Sequence, residues 1–116
     1  MAVVSRRGKV LWSGCRIAGT AFERMRGIML SQERFPPLLI RFNAPGLKRN
    51  ALHSFFCPSF DAVFLDSSGR VVDVMAPAPR NSAFIVPRQA YESVIELSAG
   101  EAERKGVATG DVLVIG

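Results

Sequence analysis

Phe60-Asp61-Ala62-Val63-Phe64-Leu65-Asp66-Ser67-Ser68-Gly69-Arg70-Val71-Val72-Asp73-Val74-Met75 reads as two strands and the turn that joins them. Phe60 to Asp66 and Arg70 to Met75 are built from aromatic and β-branched residues, which suit a pleated, buried surface. Asp66-Ser67-Ser68-Gly69 supplies the turn: an Asx side chain able to bond nearby amides, and a glycine free to take positive φ. Residues 60–75 are therefore a hairpin. Around Asp61, one strand face carries Val63 and Leu65 and the other Phe60, Ala62 and Phe64. Both faces are apolar, so the first strand enters a sheet covered on both sides.

Working upstream, Leu52 to Cys57 is a further β-like run, separated from the hairpin by Pro58-Ser59. Leu38 to Phe42 reads as a strand closed by the turn Asn43-Ala44-Pro45-Gly46, and Lys9–Ser13 and Cys15–Ala18 as short strands either side of Gly14. Thr20-Ala21-Phe22-Glu23 is a capping box that opens a helix ending near Gly27, with Phe22 and Met25 on its apolar side. Downstream, Ala76 to Asn81 cannot continue a central strand, because its prolines lack donors. Phe84–Val86, Tyr91–Leu97 and Asp111–Ile115 read as strands. Ser98-Ala99-Gly100-Glu101 repeats the capping pattern before a short helix that stops at Gly106. The expectation is one domain over residues 1–116. It is mainly β (α+β), a small barrel-like or sandwich fold of about seven short strands and two short helices.

Composition narrows the function. The chain has 116 residues, 48% hydrophobic and 22% charged, which suits one globular core. Two cysteines and one histidine make no zinc set, so no metal is expected. Cys15 and Cys57 read as small buried apolar residues, with a disulfide between them the minor alternative. No nucleotide-binding glycine pattern occurs, and no cofactor is expected. The N-terminus has bases without an apolar stretch of signal-peptide length, and no run is apolar enough to span a membrane, so the expected location is cytoplasmic. The net charge is +5, and residues 1–60 carry ten bases against two acids.

Several ordered pieces resemble the domain of unknown function 192 family (uncharacterised protein family 0127). They are Arg26-Gly27-Ile28-Met29, Leu52 to Cys57, Phe60 to Asp66, Gly69-Arg70-Val71-Val72, then Val94 to Gly100, Gly106 and Gly110-Asp111. The resemblance covers about residues 20–115. It implies a compact β-barrel-like domain with short helices and no established activity. The family pattern usually has Met where this chain has Cys57.

The residues that could carry chemistry are few. His53 on a strand would share a face with Phe55 and Cys57, yet strand positions four apart lie about 13 Å from each other, too far for a Cys–His pair. Asp61 and Glu96 are carboxylates among apolar neighbours, and each needs a partner. The two could form an acid/base pair or each pin a structural element. The preferred reading is a non-enzymatic module that binds a small molecule or protein near His53, with Arg26, His53, Phe55 and Asp61 as contacts. A small hydrolase or isomerase using His53, Asp61 and Glu96 is the first alternative. Nucleic-acid binding through the basic N-terminal half is the second.

Overall fold

Turn chemistry and apolar alternation divide the chain into β1 (Ala2–Arg6), β2 (Lys9–Ala18), α1 (Ala21–Arg26), β3 (Leu38–Gly46), β4 (Phe60–Leu65), β5 (Val71–Met75), β6 (Tyr91–Ser98), α2 (Glu101–Arg104) and β7 (Val114–Ile115). This is a computed structural model that describes residues 1–116. The strands form one sheet in the order β5-β4-β6-β3-β2-β1-β7. All neighbours are antiparallel except β2 and β3, which α1 connects in parallel. The sheet curls until its edges meet at one corner, where Leu113 N–H donates to the Gly69 carbonyl and Val71 N–H to that of Asp111. Gly69 is required there: its φ is +88°, and a Cβ would lie 2.4 Å from the Leu113 oxygen.

Every residue of β4 is buried. Its alternate side chains enter two separate cores, as the run of apolar residues on both faces requires. Phe60, Ala62 and Phe64 join Ile28, Ile40 and Val94 on one side, and Val63 and Leu65 join Trp12, Ile95 and Leu97 on the other.

Four local expectations are corrected. Leu52–Cys57 is a loop, touching the sheet-like backbone only through a single bridge from Leu52 to Ile85, so the shared strand face of His53, Phe55 and Cys57 does not exist. Phe84–Val86 is reduced to that same bridge. The segment 43–46 belongs to β3, whose ladder to β6 is interrupted between Arg41 and Gly46. Phe22 and Met25 do not pack inward: they are 67% and 63% exposed, and no residue of α1 is buried. A fifth feature, β1, lies in a segment read only for its bases. It is held on one side by β2 and on the other by β7.

Cys15 and Cys57 are both free. Cys15 is sealed in one core and Cys57 packs half-buried against the other, so the disulfide alternative is excluded by the sheet between them.

Candidate functional site

A cavity of about 260 Å³ opens between α1, the loop at 51–57 and the face of the sheet formed by β3 and β6. Two local devices build its walls. The Thr20–Glu23 capping box is made in full: Thr20 Oγ1 accepts from Glu23 N–H, and Glu23 accepts from the Thr20 amide. It starts α1 in register so that Gly27 ends it over β6. The loop is tied to α1 by His53. Its Nδ1 accepts from Phe55 N–H at 3.2 Å, and its Nε2 lies 2.8 Å from the Met25 carbonyl oxygen. The first bond leaves the proton on Nε2, which donates it to Met25. Both ring nitrogens are thereby committed to backbone groups. Below the loop, Asn50 bonds the Ala44 and Tyr91 carbonyls and receives the Tyr91 hydroxyl at its own carbonyl, which fixes where the loop leaves β3.

The floor of the cavity is Glu96. It is 3% exposed, and its Oε1 has no hydrogen-bond partner. Burial pushes its carboxyl up to about 8, so it carries its proton at neutral pH. Cys57 lies beside it. Burial, and then the charge of Glu96, push that thiol up to about 11, which removes it as a nucleophile at neutral pH. Ile28, Ile40, Leu52 and Phe42 form apolar walls, and Arg24 and Arg26 stand at the mouth. Arg24 reaches the Gly19 carbonyl at 2.5 Å and lies 5.9 Å above the Phe42 ring.

Gly27 is the close approach that seals the floor. A Cβ there would lie 3.1 Å from Glu96 Oε1, and the backbone sits at φ +52°. Gly27→Ala is expected to destabilise the domain by about 1–3 kcal/mol, from backbone strain and crowding together. Urea unfolding checks it: an unchanged midpoint would mean that the approach is not tight.

The residues singled out from sequence separate into two groups. Glu96, His53 and Arg26 line the cavity. Phe55 lies just outside it, stacked on His53 with ring centroids 6.1 Å apart. Asp61 lies elsewhere. Ala62 pairs with Glu96 and Asp61 with Leu97, so the Asp61 and Glu96 side chains leave opposite faces of the sheet. Asp61 is 1% exposed, and its Oδ2 accepts from Gly100 N–H and Ala102 N–H, both at 3.0 Å. It does the capping assigned from sequence to Ser98, whose hydroxyl instead bonds the backbone of Phe35. Sequence reading missed Gly27 and Cys57 as neighbours of Glu96. Gly27 had a signal, a glycine closing a helix, but nothing local names what it faces.

A larger open groove of about 940 Å³ runs beside β2 and α2. Within it Trp12 Nε1–H donates to Glu101, which also pairs with Arg104. The smaller cavity, with its unpaired carboxyl, is the stronger site. No three His, Cys, Asp or Glu side chains gather as a metal set, and no helix is long and apolar enough to cross a membrane.

Fold and site together define a small, two-core β-sheet domain with a carboxyl-floored pocket under a short helix. Residues 2–115 match DUF192, described as "Uncharacterized ACR", and the chain belongs to that family. The match takes in β1, which the ordered motifs left out. A UPF0127 protein of Thermococcus sibiricus is 34% identical over 96% of this chain and 71% of its own length. One from Pyrococcus horikoshii is 32% identical over 94% of each. Two crystal structures share the fold. A protein of unknown function from Novosphingobium aromaticivorans has a TM-score of 0.83 at 20% identity, covering 97% of this chain and 82% of that one. A candidate transcription regulator from Sinorhizobium meliloti has a TM-score of 0.78 at 21% identity, covering 97% and 90%.

Proposed function

We propose that this domain is a non-enzymatic binding module whose ligand enters the cavity under α1 and pairs with Glu96. One observation carries the reading: a fully buried carboxyl, without a partner, at the floor of an open cavity. Such a group costs stability and is retained where it does something else. Backbone strain next in sequence to the lining residue Cys57 adds support. Leu30 and Phe56 are 76% and 75% exposed, hold φ of +64° and +58°, and are joined by a bond from Leu30 N–H to the Phe56 carbonyl. Large side chains pay roughly 1–2 kcal/mol each for that conformation, and strain of this kind clusters at binding sites.

The hydrolase or isomerase alternative keeps Glu96 as a proton-carrying acid but lacks the other members of its set. Asp61 faces away, and both nitrogens of His53 are occupied. The nucleic-acid alternative is weakened because several bases of the first half serve the fold. Arg6 bonds Asp111 and the Lys105 and Gly106 carbonyls, Arg24 the Gly19 carbonyl, and Arg49 the Pro45 carbonyl.

A thermal-shift screen over small metabolites tests the proposal. A ligand at a hundred times its Kd adds about 2.7 kcal/mol, on the order of 10 °C for a domain of this size. The shift is expected to vanish in Glu96→Leu. An equal shift in that variant would place the ligand elsewhere and end this reading.

A further inference from the structure

We infer that the occupant of the Glu96 cavity is an uncharged molecule bearing an N–H donor and a carbonyl acceptor side by side, a carboxamide or lactam on an apolar body. This rests on the reading of the cavity as a binding site and names the chemistry that site selects.

The floor sets the first requirement. A carboxylic acid offers one O–H donor and one carbonyl acceptor, adjacent and coplanar. A carboxamide presents the complement, an acceptor and a donor at matching spacing, so two parallel hydrogen bonds satisfy both partners. On the sheet Glu96 is flanked by Leu38 and Ala62 across the ladders and by Val94 and Ser98 along β6, and the Ser98 hydroxyl is committed to the Phe35 backbone. Satisfaction therefore has to come from the occupant.

The walls set the second requirement. Ile28, Ile40, Leu52 and Phe42 reward an apolar body and give a charge nothing in exchange for its lost hydration. An ammonium group needs acceptors for three N–H groups. His53 cannot supply one, since Nδ1 is taken by Phe55 and Nε2 by Met25. The Cys57 thiol is turned to the Phe55 carbonyl. Arg24 and Arg26 at the mouth also repel a cation. A carboxylate would have to leave those arginines and water to reach a group of its own kind. A hydrocarbon would leave the acid unpaired, which costs the desolvation of its polar atoms.

Four probes with one common ring separate these cases: benzamide, benzylammonium, benzoate and toluene, titrated into the isotope-labelled full chain and followed by amide NMR shifts. Benzamide is expected to move the Gly27, His53 and Glu96 signals with a Kd at least tenfold below the other three. The pH profile gives a second readout. The charged and titratable groups around Glu96 are Arg24 and Arg26 of α1, His53 and Cys57 of the loop, and Tyr91 of its own strand; Cys57 and Tyr91 are both pushed up by burial. Between pH 7.5 and 10, benzamide affinity is expected to fall as the Glu96 acid, which titrates near 8, ionises, approaching tenfold per pH unit. Glu96→Gln keeps a donor and an acceptor without a titration, so it is expected to bind benzamide within about threefold of the native chain at pH 7.5 and to show a flat profile.

Benzylammonium or benzoate binding as tightly as benzamide would overturn this inference while leaving the cavity a binding site. Toluene equal to benzamide, in the native chain and in Glu96→Gln alike, would remove Glu96 from recognition and overturn both. No movement of cavity signals with any probe at saturating concentration would also overturn both.

Discussion

Replacing Glu96 with leucine is expected to raise the thermal midpoint, and to raise it more at pH 9 than at pH 5. In the unfolded chain the carboxyl ionises near 4.5, and in the folded domain burial holds it protonated until about 8. Below 4.5 both states carry the proton, and the group imposes no linkage penalty. As the pH rises through that value, the unfolded state releases its proton and the folded state does not. Stability therefore falls with pH until the folded carboxyl ionises too. The full loss is on the order of 4–5 kcal/mol. Leucine removes that slope and, at every pH, the cost of a buried group without a partner. The gain is expected to be a few degrees at pH 5 and roughly 15–20 °C at pH 9, read by circular dichroism. Glu96→Gln is expected to flatten the slope alone. A lower midpoint in Glu96→Leu at both pH values would show that the carboxyl holds the fold together.

The second large effect has the opposite sign. Asp61→Ala is expected to destabilise the domain by about 3 kcal/mol. Its Oδ2 receives the Gly100 and Ala102 amides, charge-assisted bonds to a carboxylate that is 1% exposed. Without it, one part-buried donor (Gly100) and one buried donor (Ala102) at the start of α2 lose their acceptor, and the replacement leaves space in the core. Asp61→Asn keeps one oxygen and is expected to lose about half as much. Urea unfolding measures the stabilities, and hydrogen exchange at Gly100 and Ala102 shows where the loss falls. Because Asp61 and Glu96 leave opposite faces of the sheet, benzamide affinity in the folded Asn variant is expected to stay within twofold of the native chain. Intact stability with lost binding would return Asp61 to the site.

The contrast between these carboxylates shows how far sequence reading reaches. Both were conspicuous as acids between apolar neighbours, and burial of each followed. What each acid meets depends on pairing between β4 and β6, residues more than thirty positions apart. The hairpin at 60–75 and the Thr20 capping box were legible because their causes are local: an Asx turn, a glycine, a reciprocal cap. Leu52–Cys57 misled because its composition suits a strand while its backbone bonds do not. Cys57 N–H turns back to Ser54, Phe56 gives its carbonyl to Leu30, and Phe56 sits at positive φ. The Arg26–Met29 segment and His53 were marked in sequence. That they meet over Glu96 is a property of the parallel crossover from β2 to β3, which no local pattern encodes.

The pairing of β1 with β7 bears on how the molecule can be handled. Val3 and Gly116 exchange both backbone hydrogen bonds, at 2.8 and 2.9 Å, so the outer ends of β1 and β7 share one rung. Topologically the backbone is almost a ring. A short linker from Gly116 to Met1 would close it, and new ends could be opened at the Ser67–Ser68 turn. The same geometry makes the domain a cassette. Inserted into a loop of a host protein, it would need only a narrow gap between its points of attachment.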